Sequence, residues 1–429
     1  MKFEKSINKI VYNELCSGCA TCYSICPKEA IKINHSFPYI SVTDQCIDCG
    51  LCSKVCPSVN STYNSGSDFD NRLGKYITCI SGYSCSSSER LNGASGGMVT
   101  ALLHYLLDSK QIDKVAIVSQ TNENADIQII SNSSDLVKSQ KSKYLPIPIN
   151  QVLKSIHEGK DTYAFVGTPC QIQGLYNLMN LWPDLKKKIV IKIGIFCGYA
   201  LKDSSINVIK NYLNIDKENW KFRGWRNGEY PGYVQFEERN TNIKSLCIYN
   251  VYDLVVPSYS LKRCRMCPDG LNEMADIAFG DWHDAYDDNL NMGIVRTSVG
   301  EKNLKECADN GYLHYNSISK EVALDNTIGA VIEAKRINSE YYREYVEKKR
   351  GKEFVPNVTV SSTKRYVSRY KAFFIRNQVK LYEKMSSPKL IKFMEKHPRI
   401  LMKVGRYVYR YPQYNIIVKL ILKVRNMFR

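Results

Sequence analysis

The chain has 429 residues, 44% of them hydrophobic and 24% charged, which is ordinary for a globular protein and sufficient for two or three domains. We find no uninterrupted apolar stretch of about eighteen residues and no apolar core typical of a signal peptide, so we exclude a spanning helix and expect a cytoplasmic protein. The net charge of +18 is uneven, because residues 361–429 contain 18 Lys and Arg but only Glu383 and Glu395 as acids.

The first predicted element is a pair of cysteine runs with the spacing C-x2-C-x2-C-x3-C-P, at residues 16–27 and 46–57. This spacing is typical of bacterial ferredoxins, in which three close thiolates hold one 4Fe-4S cluster and the fourth crosses to the other cluster. The runs predict an α+β, ferredoxin-like domain with two clusters over residues 1–60. We assign the first cluster to Cys16, Cys19, Cys22 and Cys56, and the second cluster to Cys46, Cys49, Cys52 and Cys26.

The residues around the cysteines suit this interpretation. Gly18 and Gly50 stand inside the turns, where the missing Cβ lets the backbone approach inorganic sulfide. Pro27 and Pro57 prevent a regular helix from continuing and turn the fourth sulfur towards its partner site. Zinc ribbons use separated CxxC pairs and disulfide frameworks belong to small secreted chains, so both alternatives are disfavoured.

A polar stretch rich in Ser, Asn and Gly at residues 58–73 predicts a linker, and we expect an α/β domain over residues 74–355. Its first motif is Gly-Ala-Ser-Gly-Gly at residues 93–97, directly before an apolar run at 98–107 that predicts a buried helix. The free N–H groups at such a helix start suit a phosphate or an electron-rich ring edge. Close packing is the alternative role of a glycine turn, and the motif alone does not decide between them.

Strands are predicted at residues 114–119 and 127–131, and three further apolar runs at 163–166, 189–196 and 276–279 predict short buried strands. These three runs lead into polar or soft residues, namely Cys170, Cys197 and Asp281. Open α/β sheets bind ligands at the carboxyl ends of their strands, so we expect these side chains near a ligand.

A CxxC pair, Cys264 and Cys267, lies between the second and third of these runs and is followed by proline. Together with Cys170 and Cys197 it supplies four sulfurs, which could hold a third 4Fe-4S cluster. A zinc site with four thiolates and inert packing of small apolar side chains are the alternatives that spacing leaves open.

The last part of the chain is predicted to be helical. An amphipathic helical pattern covers residues 311–351, and residues 361–429 form a basic tail whose Lys and Arg alternate with aromatic residues. Within this tail, residues 416–428 have the pattern of a basic amphipathic helix. Such a helix suits the anionic inner face of a membrane or an acidic protein partner, and a solubilising face is the alternative. Nucleic acid is disfavoured because no nucleic-acid-binding module accompanies the charge.

Taken in order, these motifs resemble the coenzyme F420 hydrogenase/dehydrogenase beta-subunit family over about residues 10–300. The resemblance rests on the double ferredoxin run, GASGG at 93–97, GTPCQ at 167–171, FCG at 196–198, the CxxC pair and ADIAFGD at 275–281. It implies FAD in the α/β domain beside a 4Fe-4S cluster held by Cys170, Cys197, Cys264 and Cys267. It further implies flavin contacts from Ser95, Gly96, Gly97, Lys143 and Tyr144, with Asp281 near the same site.

The resemblance also implies a function. We expect an oxidoreductase that passes electrons between 4Fe-4S clusters and FAD, with a hydride exchanged at the flavin with a deazaflavin or another organic substrate. No catalytic acid or base can be named, and the basic tail lies outside the family's pattern. The alternatives are a non-catalytic electron-transfer subunit and an iron-sulfur scaffold that docks on a partner complex. The expected partner is an electron donor or acceptor protein, or a small redox substrate.

Overall fold

The structure is a computed structural model in which short strands and helices alternate along most of the chain. Among the residues it describes, no helix is both long enough and apolar enough to cross a bilayer. The structure describes residues 5, 7–63, 70, 72–120, 123, 125–215, 219–238, 242–282, 289–360, 362, 364 and 367–409.

The strands form one large sheet and three small ones. Their bounds are β1 (Ile31–Ile33), β2 (Ile40–Val42), β3 (Ser61–Thr62), β4 (Thr78–Ser84), β5 (Lys114–Gln120), β6 (Ala125–Ile130), β7 (Tyr163–Gly167), β8 (Ile189–Ile195), β9 (Trp220–Asn227), β10 (Tyr233–Glu238), β11 (Asn242–Cys247), β12 (Ile277–Asp281), β13 (Asn291–Val295), β14 (Leu313–Ile318) and β15 (Val358–Thr359).

The helices are mostly short in the first half of the chain and longer towards its end. Their bounds are α1 (Asn8–Tyr12), α2 (Thr21–Ile25), α3 (Leu51–Val55), α4 (Ser87–Asn92), α5 (Met98–Asp108), α6 (Leu153–Glu158), α7 (Pro169–Met179), α8 (Leu185–Lys188), α9 (Ser205–Tyr212), α10 (Ile248–Tyr259), α11 (Lys262–Arg265), α12 (Ser298–Asp309), α13 (Lys320–Asp325), α14 (Thr327–Ile332), α15 (Asn338–Arg350), α16 (Arg369–Met385), α17 (Pro388–Lys396) and α18 (Pro398–Tyr409).

The cysteine runs fold into a small unit of two helices and two antiparallel strands, β1 and β2. Helices α2 and α3 each begin after a left-handed residue, Ala20 or Gly50, and each ends one residue before the last cysteine of its run. The apolar side of this unit does not stand alone, because Ile25 and Val55 share a core with Leu175 of α7. Burial of these side chains fixes the small unit against the large sheet.

The large sheet has eight strands in the order β14-β4-β13-β12-β8-β7-β5-β6. Strands β12, β8, β7 and β5 are parallel neighbours, whereas the outer pairings are antiparallel. Phe165, Ile193 and Phe279 on the parallel strands are completely or almost completely buried, as expected for strands covered on both faces. The predicted α/β architecture is therefore confirmed, and the carboxyl ends of the parallel strands meet at one edge of the sheet.

A second core surrounds the three-stranded sheet β11-β10-β9 and helix α10. The described part of the basic tail belongs to this core, because Ile375, Val379 and Leu401 pack in the same cluster as Trp225 and other residues of the small sheet. Helix α18 also approaches the α10 backbone so closely at Gly405 that an added Cβ would collide with the Asp253 carbonyl oxygen. Residues 369–409 are thus integrated into the folded body.

Two features differ from the sequence predictions. Residues 313–318, predicted to be helical, form the edge strand β14, which pairs antiparallel with β4 and has a mixed polar and apolar sequence. Residues 58–73, predicted to be a linker, contain β3, which pairs in parallel with β15. The amphipathic helix predicted for residues 416–428 lies outside the described residues, as do residues 64–69 and 71 of the linker.

Candidate redox site

The first sulfur set, Cys16, Cys19, Cys22 and Cys56, comes together where the turn before α2 faces the end of α3. Burial raises the pKa of Cys22, and the neighbouring sulfurs of Cys19 and Cys16 raise it further, followed by that of Cys56. Burial also raises the pKa of Cys56 to about 12, and its strongest sulfur neighbour is Cys19. The fourth cysteine of the second run thus lies with the first three of the first run.

The second sulfur set, Cys26, Cys46, Cys49 and Cys52, lines a single small cavity together with apolar side chains of β1, β2 and α3. Burial raises the pKa of Cys52, and Cys26 and Cys46 are the sulfurs that act on it. The backbone N–H of Asp48 donates to the Cys46 sulfur at 3.4 Å, and the Gly18 N–H donates to Cys16 at the same distance. Hydrogen bonds of this kind adjust the potential of a cluster bound to such sulfurs.

The third sulfur set, Cys170, Cys197, Cys264 and Cys267, lies at the carboxyl ends of β7 and β8. Cys170 is in the first turn of α7. Thr168 caps the start of this helix, and its N–H donates to Gln171 Oε1 at 2.7 Å. Burial raises the pKa of Cys197. The sulfurs of Cys264, Cys170 and Cys267 raise it further, while Lys335 lowers it. Across the described residues, no group of three or more His, Cys, Asp or Glu side chains closes on a point suited to a single metal ion.

The three sulfur sets form a continuous series. Cys52 of the second set acts on the pKa of Cys22, which belongs to the first set. Burial raises the pKa of Cys170 in the third set to about 12, and the strongest neighbouring sulfur is Cys19 of the first set. The order in space is therefore second, first and third, which the spacing of the cysteines along the chain does not predict.

A cleft of about 310 Å³ begins where the third sulfur set ends. Its walls include Cys170, Cys197 and Cys264, together with apolar residues of the parallel strands such as Phe279. Five of the six flavin contacts implied by the family resemblance line this cleft, and Gly96 does not. These five are Ser95, Gly97, Lys143, Tyr144 and Asp281.

Gly96 is the residue of the glycine-rich loop that packs against the sheet. A Cβ at this position would lie 2.7 Å from both the Asn291 nitrogen and the Gly82 oxygen, so only glycine lets the loop rest on the sheet. Asn291 then fixes the loop, because its Nδ2 donates to Ser95 Oγ at 2.6 Å and its Oδ1 accepts from the Met98 N–H at 2.9 Å. Sequence reasoning missed Asn291, whose only signal was a polar residue at the start of a buried strand.

Arg226 is the second residue that sequence reasoning missed. It lies on β9, is only 4% exposed and reaches the cleft from the second core. Its Nη2 donates to the Ala94 carbonyl oxygen at 2.7 Å and its Nη1 donates to Asp281 at 2.8 Å. The Tyr144 hydroxyl lies 3.5 Å from Nη1 and accepts from the Tyr252 hydroxyl at 2.7 Å. Arg226 therefore joins the glycine-rich loop, the end of β12 and the loop of Tyr144 around one opening.

Lys143 is folded back onto its own loop. Its Nζ donates to the carbonyl oxygens of Ser139 at 2.5 Å, Gln140 at 2.7 Å and Lys141 at 3.1 Å. Burial lowers the pKa of Lys143 to about 7, although the three carbonyl oxygens favour the charged form. The side chain can thus gain or lose its charge close to neutral pH.

Asp281 is followed in the sequence by Trp282, His283 and Asp284. Trp282 is buried next to Asp281, whereas His283 and Asp284 lie outside the described residues. The structure therefore assigns a defined partner, Arg226, only to Asp281 in this group.

Three family models match the chain. The model of the coenzyme F420 hydrogenase/dehydrogenase beta subunit N-terminus matches residues 79–154, and the model of its C-terminus matches residues 160–321. A 4Fe-4S dicluster domain model matches residues 15–61, which contain the first and second sulfur sets.

Curated relatives come from methanogenic archaea. The chain is 28% identical over 359 residues to a coenzyme F420-dependent sulfite reductase of Methanocaldococcus jannaschii, covering 80% of this chain and 54% of that protein. It is 25% identical over 254 residues to the coenzyme F420 hydrogenase subunit beta of Methanococcus voltae, covering 57% of this chain and 86% of that protein. The chain thus spans about half the length of the sulfite reductase.

A solved structure has the same fold. A chain from the F420-reducing NiFe hydrogenase complex of Methanosarcina barkeri superposes with a TM-score of 0.53 at 20% identity, covering 65% of this chain and 96% of that chain. The two beta-subunit models together match more than half of the sequence, from residue 79 to residue 321. The chain therefore belongs to the coenzyme F420 hydrogenase/dehydrogenase beta-subunit family and carries a 4Fe-4S dicluster domain at residues 15–61.

Proposed function

We propose that the protein is an iron-sulfur flavoprotein oxidoreductase that passes electrons between three 4Fe-4S clusters and FAD. At the flavin, a hydride is exchanged with a deazaflavin or another organic substrate. The observation that carries this proposal is the continuous series of three sulfur sets that ends at the cleft. An electron entering at the second set would find the next site close by at each step.

The residues present fit the proposed groups. Each sulfur set supplies four thiolates, which is the donor set that a 4Fe-4S cluster requires. The cleft combines an apolar lining with the backbone of Ser95 and Gly97 at the start of α5, which suits an aromatic ring system with a polar edge. When bound, FAD supplies hydride exchange and single-electron transfer, whereas each 4Fe-4S cluster carries one electron.

The chain's own residues position the cofactor and exclude water. Asn291 fixes the glycine-rich loop, and Arg226 holds the Ala94 carbonyl and the Asp281 carboxylate at the rim of the cleft. Lys143 and Tyr144 contribute a titratable amine and an aromatic wall. A hydride brings two electrons and one proton to the flavin, so passing both electrons to the clusters would release one proton, for which we assign no acceptor residue. The chain's residues would orient the flavin and adjust the potentials.

Metal and flavin quantitation on anaerobically purified protein tests the proposal. We expect about twelve iron atoms and about one FAD per chain. Cys264→Ser should lose about four iron atoms, whereas Cys247→Ser, which alters a cysteine outside all three sulfur sets, should lose none. Protein that contains only zinc, or that keeps all its iron after Cys264→Ser, would contradict the cluster assignment.

Turnover measurements separate the enzyme from the alternatives. An enzyme should reduce or oxidise an added deazaflavin or another organic acceptor without a partner protein. An electron-transfer subunit would contain the flavin and the clusters but show no turnover until a partner is added. This alternative is supported by relatives named as hydrogenase subunits. A scaffold that docks on a partner complex would contain iron but no flavin.

We also propose that the protein is cytoplasmic and contacts the anionic inner face of a membrane through its basic tail. Helices α16 to α18 expose ten Lys and Arg side chains but no Asp or Glu between residues 367 and 409. The two acids of this segment form hydrogen bonds within the fold. Glu383 accepts from the Tyr342 hydroxyl, and Glu395 accepts from the Tyr259 hydroxyl. Exposed Phe373, Phe393 and Ile400 lie among the bases, as at membrane interfaces.

Vesicle sedimentation tests this contact. Each base near an anionic surface contributes about 1 kcal/mol, so binding should require anionic lipid and weaken with salt. The double variant Lys392→Glu and Lys396→Glu on α17 should bind less, whereas Lys186→Glu and Lys187→Glu on α8 should not. Equal binding of both variants to the vesicles would contradict a lipid contact. Binding of the protein to an acidic protein partner but not to the vesicles would contradict it as well.

A further inference from the structure

Arg263 lies in the short helix α11, directly before Cys264 of the CxxC pair, and is a buried cation. Its side chain is 2% exposed, its Nε donates to Ser58 Oγ at 2.7 Å, and its Nη2 donates to the Pro57 carbonyl oxygen at 3.1 Å. Nη1 is buried and has no hydrogen-bond partner among the described residues. An unbalanced guanidinium in a protein interior is costly, so its position requires nearby negative charge.

Two sulfur sets lie next to Arg263. In the sequence it directly precedes Cys264 of the third set, and its hydrogen-bond partners Pro57 and Ser58 directly follow Cys56 of the first set. Cluster thiolates at both places would supply the negative charge that a buried guanidinium requires. Arg263 thus lies between the first and third sulfur sets and acts on both.

Lys335 is a second buried cation, and it lies beside the third sulfur set. It lies in the π-helical turn Glu333–Ile337, is 2% exposed, and its Nζ donates to the Cys264 carbonyl oxygen at 2.8 Å. Cys264 belongs to the third set, whereas the hydrogen bonds of Arg263 reach residues that directly follow the first set, so Lys335 serves as a comparison for Arg263.

We propose that Arg263 is a positioning residue shared by the first and third clusters, where it raises both reduction potentials and fixes the gap between the two sites. Its hydrogen bonds to Pro57 and Ser58 tie the end of the second cysteine run to the CxxC loop. Its charge favours the more negative, reduced form of each neighbouring cluster, and a dry interior strengthens this effect. Lys335 acts in the same way on the third cluster alone.

This inference rests on the proposed clusters, and a redox titration followed by electron paramagnetic resonance tests it. In Arg263→Gln, which removes the charge but keeps a hydrogen-bond donor, we expect two of the three midpoint potentials to fall. The cluster of the second sulfur set should not shift and serves as the internal reference. Arg263→Lys, which keeps the charge, should leave all three potentials near those of the wild type, and Lys335→Gln should lower only one.

The possible outcomes distinguish failure of the proposed function from failure of the role proposed for Arg263. Wild-type protein without iron would overturn the proposed function and this inference together. Wild-type protein with about twelve iron atoms per chain, and variants whose midpoints do not move, would overturn this inference alone. Equal shifts of all three potentials in Arg263→Gln would also overturn it. If Arg263→Gln loses its iron, Lys335→Gln becomes the deciding variant. The inference then requires the midpoint potential of the third cluster to fall in Lys335→Gln, and an unchanged potential would overturn it.

Discussion

The Arg226 guanidinium donates a hydrogen bond of 2.8 Å to the Asp281 carboxylate. This contact joins β9 of the small sheet to the carboxyl end of β12 in the large sheet. Because Arg226 also holds the Ala94 carbonyl, one side chain from the second core closes the rim of a cleft built mainly from the first.

Arg226→Met should therefore weaken binding of the proposed FAD at least about tenfold, since the glycine-rich loop and Asp281 lose their common partner. Loss of the buried partner should also lower the free energy of unfolding by about 3 kcal/mol, at the low end for buried ion pairs because the Asp281 side chain is 25% exposed. Arg223→Met is the matched control, because Arg223 lies on the same strand but is 60% exposed and pairs with Glu237 at 3.3 Å. Flavin fluorescence titrations and urea unfolding measure the two effects, and equal behaviour of both variants would contradict this role.

The crossed assignment of the ferredoxin-like cysteines can be tested by combining substitutions. Cys16→Ser with Cys56→Ser should cost about four iron atoms in total, because both cysteines belong to the first set. Cys46→Ser with Cys56→Ser should cost about eight, because the two belong to different sets. Ligation of each cluster by one run alone predicts the reverse pattern in the iron content of the double variants.

Gly96→Ala should destabilise the protein, because the new methyl group would lie 2.7 Å from backbone atoms of Asn291 and Gly82 that cannot move aside easily. Overpacking of this kind costs about 1–3 kcal/mol. Gly198→Ala is the control, since a Cβ at that position meets no atom within 4 Å. Thermal unfolding of the two variants should show a lower midpoint only for Gly96→Ala, and an unchanged midpoint would show that the loop can lift from the sheet.

The affinity for the proposed FAD should fall as the pH rises through 7, because burial lowers the pKa of Lys143 to about 7 and only the protonated amine attracts an anionic group. Between pH 6 and pH 8 the dissociation constant should rise by about tenfold, which follows from titration of one group. Lys143→Met should remove this pH dependence, whereas Lys138→Met should keep it, because Lys138 is exposed and pairs with Asp135. A wild-type affinity that is constant over this range would exclude a contact from Lys143.

Sequence by itself determined the features that depend on neighbouring residues. The two cysteine runs indicate ferredoxin-like turns because backbone geometry over a few residues decides where the three close sulfurs point. The buried strands that lead to Cys170, Cys197 and Asp281 were predicted from their apolar runs, and their parallel pairing brings these ends together. Edge strand β14 was missed because its short mixed pattern also fits a helix.

Tertiary structure alone decided which distant residues meet. Arg226 and Asp281 are joined although they lie on different sheets, and no periodic pattern in either segment records that contact. The order of the sulfur sets, the position of Arg263 between two of them and the packing of the basic tail on α10 likewise depend on how separate cores are assembled. Short motifs constrain local backbone geometry, whereas burial and charge balance between distant segments arise only when the whole chain has folded.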